Sequence, residues 1–515
     1  MQKLLTFICL GCFFSSLIAQ TYQVDPAFAD SGYVYQDLAN GTEKPAKILI
    51  RPDGKIVVCG SNYDITANDH HLFIAQYLAD GSPDYSFADS GLLYTNFNFR
   101  SIVNDAYLQD DGKIVLSGVD ASTNGVSQIK PALFRIMPDG TTDTTFGNAG
   151  VATYRFTDDS SGEFFRVEIQ SDDKIVGFGS SYAAGGSGTS GLGVMRFLKD
   201  GSLDSTFNGT GKNRIAQTLA FYIGDGRIQH ANKYVVAAPV VPAGNQTVMG
   251  LVRFLENGLP DPNFHQNGLL LSSINLAKYT ANLKMEVLDS MIYVTGEVTD
   301  SSNRQALGLA RFLYDGSLDL SFGDNGLQIF SEPGTDLYIN QMRKMDNGKL
   351  LLIGRSSTEF YALAVNPSGD VDTSFANQGK LRYAYFPNSS HLGYDLVVLA
   401  DQSLLSCSSL SNKILLARHI NTLNTSFGPD LSASLAIKVF PIPSRERLNL
   451  QWESSPREIT QIAIYDLQGR LVLQQSVPAG SSQQSLDLKT IAKGQYVLRV
   501  RQSSKASSRM ILLQD

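Results

Sequence analysis

The stretch A-R-F-L-Y-D-G-S-L-D-L-S-F-G-D-N-G, residues 310–326, recurs along this chain and decides its fold. Recognisable copies place a phenylalanine at the same point eight times, as Phe28, Phe87, Phe146, Phe207, Phe264, Phe322, Phe375 and Phe427. Successive phenylalanines are 59, 59, 61, 57, 58, 53 and 52 residues apart, so the eight copies delimit seven units. Self-similarity at a nearly fixed period indicates a repeat architecture.

When the copies are aligned on the phenylalanine, three further positions carry the same residue type in most copies, and we call these the aspartate, glycine and arginine columns. An aspartate stands three residues before it, as Asp25, Asp84, Asp143, Asp204, Asp261, Asp319 and Asp372, with Asn424 in the last copy. A glycine stands four residues after it, as Gly32, Gly91, Gly150, Gly211, Gly268, Gly326 and Gly379, with Leu431 in the last copy. An arginine stands eleven residues before it, as Arg135, Arg196, Arg253 and Arg311; Gln76 and Ala364 replace it in two units, and Arg418 stands nine residues before Phe427.

We interpret the aspartate and arginine columns as structural, because they repeat together with the turn. The aspartate is expected to bond backbone groups of its own turn. The arginine is expected to bond a carboxylate or turn carbonyls of its own unit. The functional alternatives are a ring of cations for an anionic ligand and a metal site, although no stretch follows the calcium-loop pattern of alternating aspartates.

Each unit contains four short apolar runs separated by turns. In the second unit the runs are L-L-Y-T-N-F, V-N-D-A-Y-L-Q, K-I-V-L-S-G and A-L-F-R-I-M, and Asp-Gly pairs mark turns between them. The K-I-V-L run and its counterparts lack polar alternation, so we expect them to be covered on both faces. With no sustained helical period, the sequence predicts an all-β fold. Seven units of four strands favour a seven-bladed β-propeller over residues 21–430; an open β-solenoid is the rival.

The N-terminus has the features of a secretory signal peptide over residues 1–20. Lys3 precedes an apolar run from Leu4 to Ala19, and cleavage is expected near its end. A membrane anchor and a lipoprotein modified on Cys12 are alternatives, and no other stretch is apolar enough to cross a bilayer. The mature chain keeps Cys59 and Cys407, which hold the same position in the first and last units. We expect both to be free, buried thiols, and a disulfide bridge between them is the alternative.

The charge distribution and the absence of known motifs argue against nucleic-acid binding and against an assigned catalytic site. Residues 438–515 carry a net charge of +5 and the repeat body a net charge of −13, so nucleic acid is not an expected partner. The six histidines have no metal-ligand spacing. We interpret His70 and His71, with Asp64 and Asp69, as part of a solvated loop, and a site at this loop is the alternative. No nucleophile, phosphate-binding or dinucleotide motif has its required context. The sequence therefore assigns no catalytic, cofactor-binding or metal residue.

One connection in each unit varies in sequence, and it follows the K-I-V-L run. Examples are residues 61–71, 120–130, 180–191 and 240–248. Equivalent loops of a propeller emerge on the same face, and variable loops on a rigid scaffold commonly carry binding. A linker over residues 431–435 is followed by a different pattern over residues 436–515, where alternating runs predict a small Ig-like β-sandwich.

Two resemblances follow from these motifs. The phrases D-G-K-I-V-V-C-G (53–60) and R-F-L-Y-D-G-S-L-D-L-S-F-G (311–323) resemble the delta-60 repeat family of bacterial secreted β-propellers. The order V-F-P-x-P, I-Y-D-x-x-G-R and K-G-x-Y-V-L-R-V resembles the type A sorting domain of the type IX secretion system, although Ile442 and the terminal Gln514-Asp515 depart from its usual pattern. The first resemblance implies a propeller without an assigned chemistry. The second implies a bacterium of the Bacteroidota and export across the outer membrane.

These observations predict a secreted or cell-surface propeller that acts as a non-catalytic binding scaffold. The expected partners are the type IX secretion machinery, through residues 436–515, and an extracellular glycan or protein, with no cofactor. An enzyme acting on polysaccharides or peptides through its divergent loops is the alternative from another class. A structural component of a surface layer is the third.

Overall fold

The structure is a computed structural model with two compact units, Met1–Leu423 and Asn424–Asp515. It describes residues 21–30, 32–38, 41–97, 101–121, 129–158, 160–183, 190–216, 224–242, 246–277, 282–357, 359–384, 391–422, 437–440, 445–452, 460–465, 471–501 and 506–513. The predicted signal peptide, the predicted linker and the eighth copy of the motif, with Phe427, lie outside these residues.

The described part of the first unit contains 29 strands. After β1 (Thr21–Val24) and β2 (Tyr33–Gln36), the first two sheets contain β3 (Gly41–Ile50), β4 (Ile56–Asp64), β5 (Asp69–Tyr77), β6 (Leu92–Thr95), β7 (Ser101–Leu108), β8 (Ile114–Asp120), β9 (Lys130–Ile136) and β10 (Val151–Thr153). The third and fourth contain β11 (Ser160–Ile169), β12 (Ile175–Ala183), β13 (Gly191–Phe197), β14 (Lys212–Ala216), β15 (Asp225–Gln229), β16 (Lys233–Val240), β17 (Val248–Phe254) and β18 (Leu269–Asn275). The last three contain β19 (Leu283–Leu288), β20 (Met291–Thr299), β21 (Gln305–Phe312), β22 (Leu327–Phe330), β23 (Leu337–Lys344), β24 (Leu350–Ser356), β25 (Glu359–Val365), β26 (Lys380–Tyr383), β27 (His391–Val398), β28 (Leu404–Leu410) and β29 (Lys413–Thr422).

These strands form seven antiparallel sheets, one for each unit of the repeat. Consecutive sheets pack side by side, and the seventh packs against the first, so they form a ring. The first strand of each sheet lies innermost: β3, β7, β11, β15, β19, β23 and β27 contact one another in that order and then β27 contacts β3. The predicted all-β propeller is confirmed, and an open solenoid would leave the end sheets apart.

The N-terminal strands close the ring. Both β1 and β2 pair with β29, so Thr21 lies opposite Thr422 and Tyr33 lies opposite Ala417 in the last sheet. The seventh sheet therefore takes its outer edge from the start of the chain. This pairing covers the edge of β29 and joins the two ends of the described repeat array.

The K-I-V-L run of each unit is the second strand of its sheet. In β8 every residue is buried, and the other second strands are buried over most of their length. The prediction that these runs are covered on both faces is confirmed. Sheets that pack on both faces need apolar residues at successive positions, which explains the missing alternation.

The two cysteines occupy equivalent positions on β4 and β28, opposite Lys47 and Asp395 on the inner strands. Both are free and 0% exposed, as predicted. Burial raises the pKa of both thiols, which keeps them protonated and unreactive.

The folded protein should therefore resist thiol reagents. We expect the mature chain to show no fast reaction with Ellman's reagent, and to release two thiols after denaturation in guanidinium. Fast labelling of either cysteine under native conditions would contradict the burial of these strands.

The second unit contains two sheets that share one core. The strands are β30 (Ile437–Phe440), β31 (Arg447–Trp452), β32 (Thr460–Tyr465), β33 (Leu471–Val477), β34 (Gln483–Asp487), β35 (Gly494–Arg501) and β36 (Ala506–Leu513). The sheet orders are β30-β31-β34 and β33-β32-β35-β36, with Leu450, Ile464 and Leu498 among the side chains between them. This is a β-sandwich, and its Ig-like character stays a prediction. No helical segment in the described parts of the chain has the length and apolarity of a membrane span.

Candidate functional site

The recurrent motif folds as a turn that its aspartate organises. Oδ1 of Asp319 accepts hydrogen bonds from the main-chain nitrogen and the hydroxyl of Ser321, at 3.0 and 2.6 Å. Most other copies repeat this arrangement. The structural interpretation of the aspartate column is thereby confirmed. The phenylalanine of every described copy is buried.

The glycine of the preceding Asp-Gly turn is required by the neighbouring sheet. Gly316 has φ +86°, and a Cβ there would lie 2.6 Å from the ring of Phe264, which belongs to the motif of the unit before. A side chain would be strained by this φ and would collide with the ring. The motif thus packs one unit against the next.

The arginine column makes the same inter-sheet connection. Nε of Arg196 donates to Asp204 at 2.8 Å, and Nη1 donates to the main-chain oxygen of Glu256 at 2.8 Å. The guanidinium carbon lies 5.1 Å from the centre of the Phe207 ring. Arg135, Arg253 and Arg311 make equivalent contacts. The structural interpretation is confirmed with one correction, because the carbonyl belongs to the next sheet and not to the arginine's own unit.

The first unit has no arginine at this position, but two other residues make the same bonds to its aspartate and to the next sheet. Gln76 bonds Asp84 at 2.7 Å, and Arg51 from the end of β3 donates to Gln76 at 2.6 Å. Arg51 also donates to the main-chain oxygens of Gly112 at 2.8 Å and Pro138 at 3.3 Å in the next sheet. Sequence reasoning missed Arg51, because it lies 25 residues from Gln76 and outside the repeated motif.

The ring has two chemically different faces. The inner strands begin at the end of each sheet where the variable connections lie, since Gly41 pairs with Asp64 at the start of the loop between β4 and β5. We call this end the loop face. The inner strands finish at the opposite end, beside the recurrent turns, which we call the motif face. The tips of the loops within 120–130, 180–191 and 240–248 lie outside the described residues.

Seven equivalent positions on the inner strands form an axial ring at the centre of the propeller. The register of the inner strands against the second strands places Lys47, Asp105, Arg166, Asp225, Lys284, Gln341 and Asp395 at this level. Their charges alternate in sign from Lys47 to Lys284. Perfect alternation is impossible in a ring of seven, and the neutral Gln341 stands between Lys284 and Asp395.

Ion pairs connect neighbouring members of the axial ring. Nζ of Lys47 lies 3.0 Å from Asp105, whose carboxylate lies 3.4 Å from Arg166. Nε of Arg166 lies 2.8 Å from Asp225. The aspartates also accept main-chain N–H groups of the next sheet, as Asp395 does from Ile48 at 2.8 Å. Although burial alone would raise the pKa of Asp105, attraction to Lys47 and Arg166 holds it below its usual value.

A pocket of about 560 Å³ opens from the axial ring on the motif face. Its floor carries Arg227, which binds Glu286 through two hydrogen bonds of 3.1 and 2.8 Å and lies 3.5 Å from Glu168. Glu168 also accepts the main-chain N–H of Ile228 at 2.7 Å. Burial raises the pKa of Glu168 to about 8, against the attraction of Arg166. Both carboxyl groups are therefore bonded to other groups in the lining of the pocket.

A smaller pocket, of about 90 Å³, opens on the loop face. Its charged lining groups are Lys44, Glu163 and Lys284, and its other lining residues are Pro45, Ala46, Val103, Asn104, Phe165, Asn282, Asn340, Gln341 and Tyr394. Burial raises the pKa of Glu163 to about 7, while a hydrogen bond from Asn104 and attraction to Lys44 oppose the shift. Burial lowers the pKa of Lys284, and attraction to Asp225 opposes that change. We call this the loop-face pocket.

The two histidines that were interpreted as part of a loop lie on a strand in the structure. His70 and His71 lie on β5, where their rings pack against Tyr63 and Tyr94 at centroid distances of 4.8 and 4.7 Å. Asp64 accepts main-chain N–H groups of its own loop. Across the described residues no group of three or more histidine, cysteine, aspartate or glutamate side chains is arranged to hold a metal ion.

Sequence comparisons identify both parts of the chain. Residues 51–87, 109–146, 170–207 and 289–322 match the family described as a domain of unknown function (DUF5122) β-propeller. Residues 438–514 match the secretion system C-terminal sorting domain. Both resemblances inferred from the motifs are confirmed. A search of curated proteins finds no significant match.

Solved structures with a similar chain path are distant in sequence. A polysaccharide lyase, an ulvan lyase, is 10% identical with a TM-score of 0.40, over 75% of this chain and 94% of the lyase chain. A glucose dehydrogenase is 11% identical with a TM-score of 0.36, over 62% of this chain and 95% of the other. A β-xylosidase is 11% identical with a TM-score of 0.30, over 56% and 98%. At these values the similarities carry no conclusion about activity.

Proposed function

Because the chain carries DUF5122 β-propeller repeats followed by a type IX secretion C-terminal sorting domain, we propose that its propeller is a non-catalytic module that binds an extracellular ligand on the loop face. The sorting domain directs export by the type IX secretion system to the cell surface or the extracellular space. The ligand-binding role is the proposal. Its main support is that connections of unlike sequence share one face of a rigid ring, around the mouth of the loop-face pocket.

The first of these connections is itself well ordered by local bonds. Oδ1 of Asp64 accepts the main-chain N–H groups of Thr66 and Ala67 at 2.8 and 3.0 Å, and the hydroxyl of Tyr63 donates to Asn68 at 2.7 Å. Ile65 at its tip is 64% exposed. A loop held in shape by its own residues can change its exposed side chains without disturbing the sheet, which suits a binding role.

The enzyme alternative gains one specific observation. Glu163 in the loop-face pocket has a pKa raised to about 7, which is suitable for a general acid. Glycoside hydrolases that use two carboxyl groups need a second one beside the first. Glu163 is the one carboxyl group in the described lining of this pocket, and its partner Asn104 is an amide. The described arrangement therefore favours binding over hydrolysis.

A second catalytic candidate is closed to substrates. The hydroxyl of Tyr383 donates to Ser406 at 2.6 Å, and Ser406 lies 3.4 Å from Nε2 of His419. Ser406 is 0% and His419 2% exposed, and burial lowers the pKa of His419 to about 4. A serine nucleophile needs access to its substrate, so we interpret this cluster as part of the sheet packing.

Exchange of the loops should separate binding from stability. We expect replacement of residues 65–68 by a Gly/Ser segment of equal length to change binding to immobilised polysaccharides and proteins, while the unfolding temperature stays nearly constant. Replacement of the Asn347-Gly348 turn on the motif face by Ser-Gly, which keeps the glycine where φ is +79°, is the matched control and should leave binding unchanged. The purified protein should cleave no polysaccharide or peptide of the same panel. Cleavage that is lost on the substitution Glu163→Gln would overturn the non-catalytic proposal.

A further inference from the structure

The loop-face pocket contains a cation that the axial ring leaves unpaired. Lys47 and Arg166 each form ion pairs with ring aspartates, whereas the ammonium group of Lys284 forms no ion pair or hydrogen bond with any described residue. The reason lies in the odd number of sheets. On one side Lys284 has Asp225, which is already 2.8 Å from Arg166 and 2.9 Å from Arg227, and on the other side it has the neutral Gln341.

The second cation of the pocket has the same property. Lys44 on β3 is exposed at the mouth and forms no ion pair within the described chain. Lys44 and Lys284 are close enough to repel each other and so to lower the pKa of Lys284 further. The acidic group opposite them is Glu163, whose raised pKa leaves it partly protonated near neutral pH. The pocket therefore has an excess of positive charge within a propeller that is acidic as a whole.

The neutral lining offers acceptors and aromatic surface. Three asparagines donate their amide N–H groups to main-chain oxygens of the next sheet: Asn104 to Phe164 at 2.9 Å, Asn282 to Ile339 at 3.2 Å and Asn340 to Gly393 at 2.7 Å. These bonds fix the side chains, and no described donor occupies their amide oxygens. Phe165 and Tyr394 supply aromatic surface. Amide oxygens suit sugar hydroxyl groups, and aromatic rings suit their apolar faces.

We propose that the loop-face pocket binds the carboxylate or sulfate group of an acidic sugar residue in an extracellular glycan, with Lys284 as the main charged contact and Lys44 at the entrance. A cavity of about 90 Å³ admits one such group, while the rest of the sugar lies at the mouth of the pocket. An uncompensated cation in a largely enclosed site costs stability, and an oxyanion would relieve that cost. This inference rests on the proposed binding function and assigns its ligand class.

The charges around Lys284 and Glu163 give the pH dependence of binding. The charged groups that face them are Lys44 on β3, Asp105 on β7, Arg166 on β11, Asp225 on β15 and Glu297 on β20. An anion binds best when Lys284 is protonated and Glu163 is neutral. Since the pKa of Lys284 is lowered and that of Glu163 is raised, binding takes up protons, and affinity should fall as the pH rises through 7.

Calorimetric titration of the mature protein with small probes tests the proposal. The probes are glucuronate for the carboxylate, glucose 6-sulfate for the sulfate ester, glucose as the neutral control, and N-acetylaspartate for an acidic peptide. We expect one or both acidic sugars to bind at least about tenfold more tightly than glucose, as one hydrogen bond to a charged group provides. Lys284→Met should abolish this preference without lowering the unfolding temperature, and Lys284→Arg should retain part of it. Lys344→Met on the motif face removes an equal charge and should have no effect.

The outcomes separate this inference from the proposed function. Absent binding of both acidic sugars, equal binding of glucose, or unchanged affinity in Lys284→Met would overturn the pocket assignment. Binding of N-acetylaspartate in preference to both sugars would overturn the glycan assignment. If replacement of loop residues 65–68 alters polysaccharide binding while Lys284→Met does not, the loop-face function stands and the anion pocket fails. If Lys284→Met alters binding while replacement of residues 65–68 does not, the anion pocket stands and the assignment of binding to the loops fails.

Discussion

Deletion of residues 436–515 should retain the protein in the periplasm of the bacterium that makes it, with its propeller folded. The sorting domain carries the export information for the outer membrane. Its core is made of residues from Leu448 to Leu513, and the described propeller strands end at Thr422. The deletion therefore removes no core residue from the ring. We expect immunoblots of cell fractions to move nearly all of the protein from the surface or medium to the periplasm.

Two neighbouring positions of the tail provide a matched control. Leu450 is buried in the sandwich core and Gln451 beside it on β31 is exposed. Leu450→Asp places a charge in the core and should block export as the deletion does. Gln451→Asp adds the same charge at the surface and should leave export unchanged. Normal export of the truncated protein would show that residues 436–515 are not its export signal.

Substitution of Arg253 should cause the largest loss of stability among the arginine column. Arg253 is 0% exposed, donates to Asp261 at 2.8 Å and also bonds the main-chain oxygen of Tyr314 in the next sheet. Its guanidinium carbon lies 4.4 Å from the centre of the Phe264 ring. Arg253→Met leaves Oδ2 of the fully buried Asp261 with Lys233 and without its arginine, and it removes the donor to the carbonyl of Tyr314. We expect a loss of about 3–5 kcal/mol in the free energy of unfolding, typical of breaking a buried pair.

The repeat itself supplies the control for this substitution. Arg311 makes the same bonds to Asp319 and Pro367, but its side chain is 18% exposed, so water replaces part of what is lost. Arg311→Met should cost less, about 1–2 kcal/mol. The chain has one tryptophan, Trp452, in the sorting domain. The urea unfolding curve measured by tryptophan fluorescence reports on the sorting domain and should be unchanged in both variants. The propeller transition measured by circular dichroism should shift to lower urea concentration. An equal loss of unfolding free energy in both variants would show that the burial of the arginine does not determine how much its bonds stabilise the propeller.

The local pattern of the sequence was sufficient for several features. The Asp-Gly turns, the buried K-I-V-L runs and the phenylalanine spacing can be recognised from local sequence, because they repeat wherever the motif repeats. The aspartate of each turn was interpreted correctly for the same reason, since its partners lie two residues away. The order of motifs in the tail was likewise enough to identify the sorting domain.

Tertiary structure was needed wherever a residue's partner belongs to another unit. Arg196 reaches a carbonyl 60 residues away, and Arg51 replaces a missing arginine from another strand, so neither partner is visible locally. In the axial ring the equivalent positions carry opposite charges in successive units from Lys47 to Lys284, because neighbouring members lie close enough to form ion pairs. When the repeats are aligned, this position therefore differs from unit to unit, although in the structure most of its residues form ion pairs with one another. The lack of an ion pair at Lys284 can be recognised only from its neighbours in the ring. The sequence determined the repeated turn and the sorting domain, whereas the closure of the ring decided which members of the axial ring form ion pairs with one another.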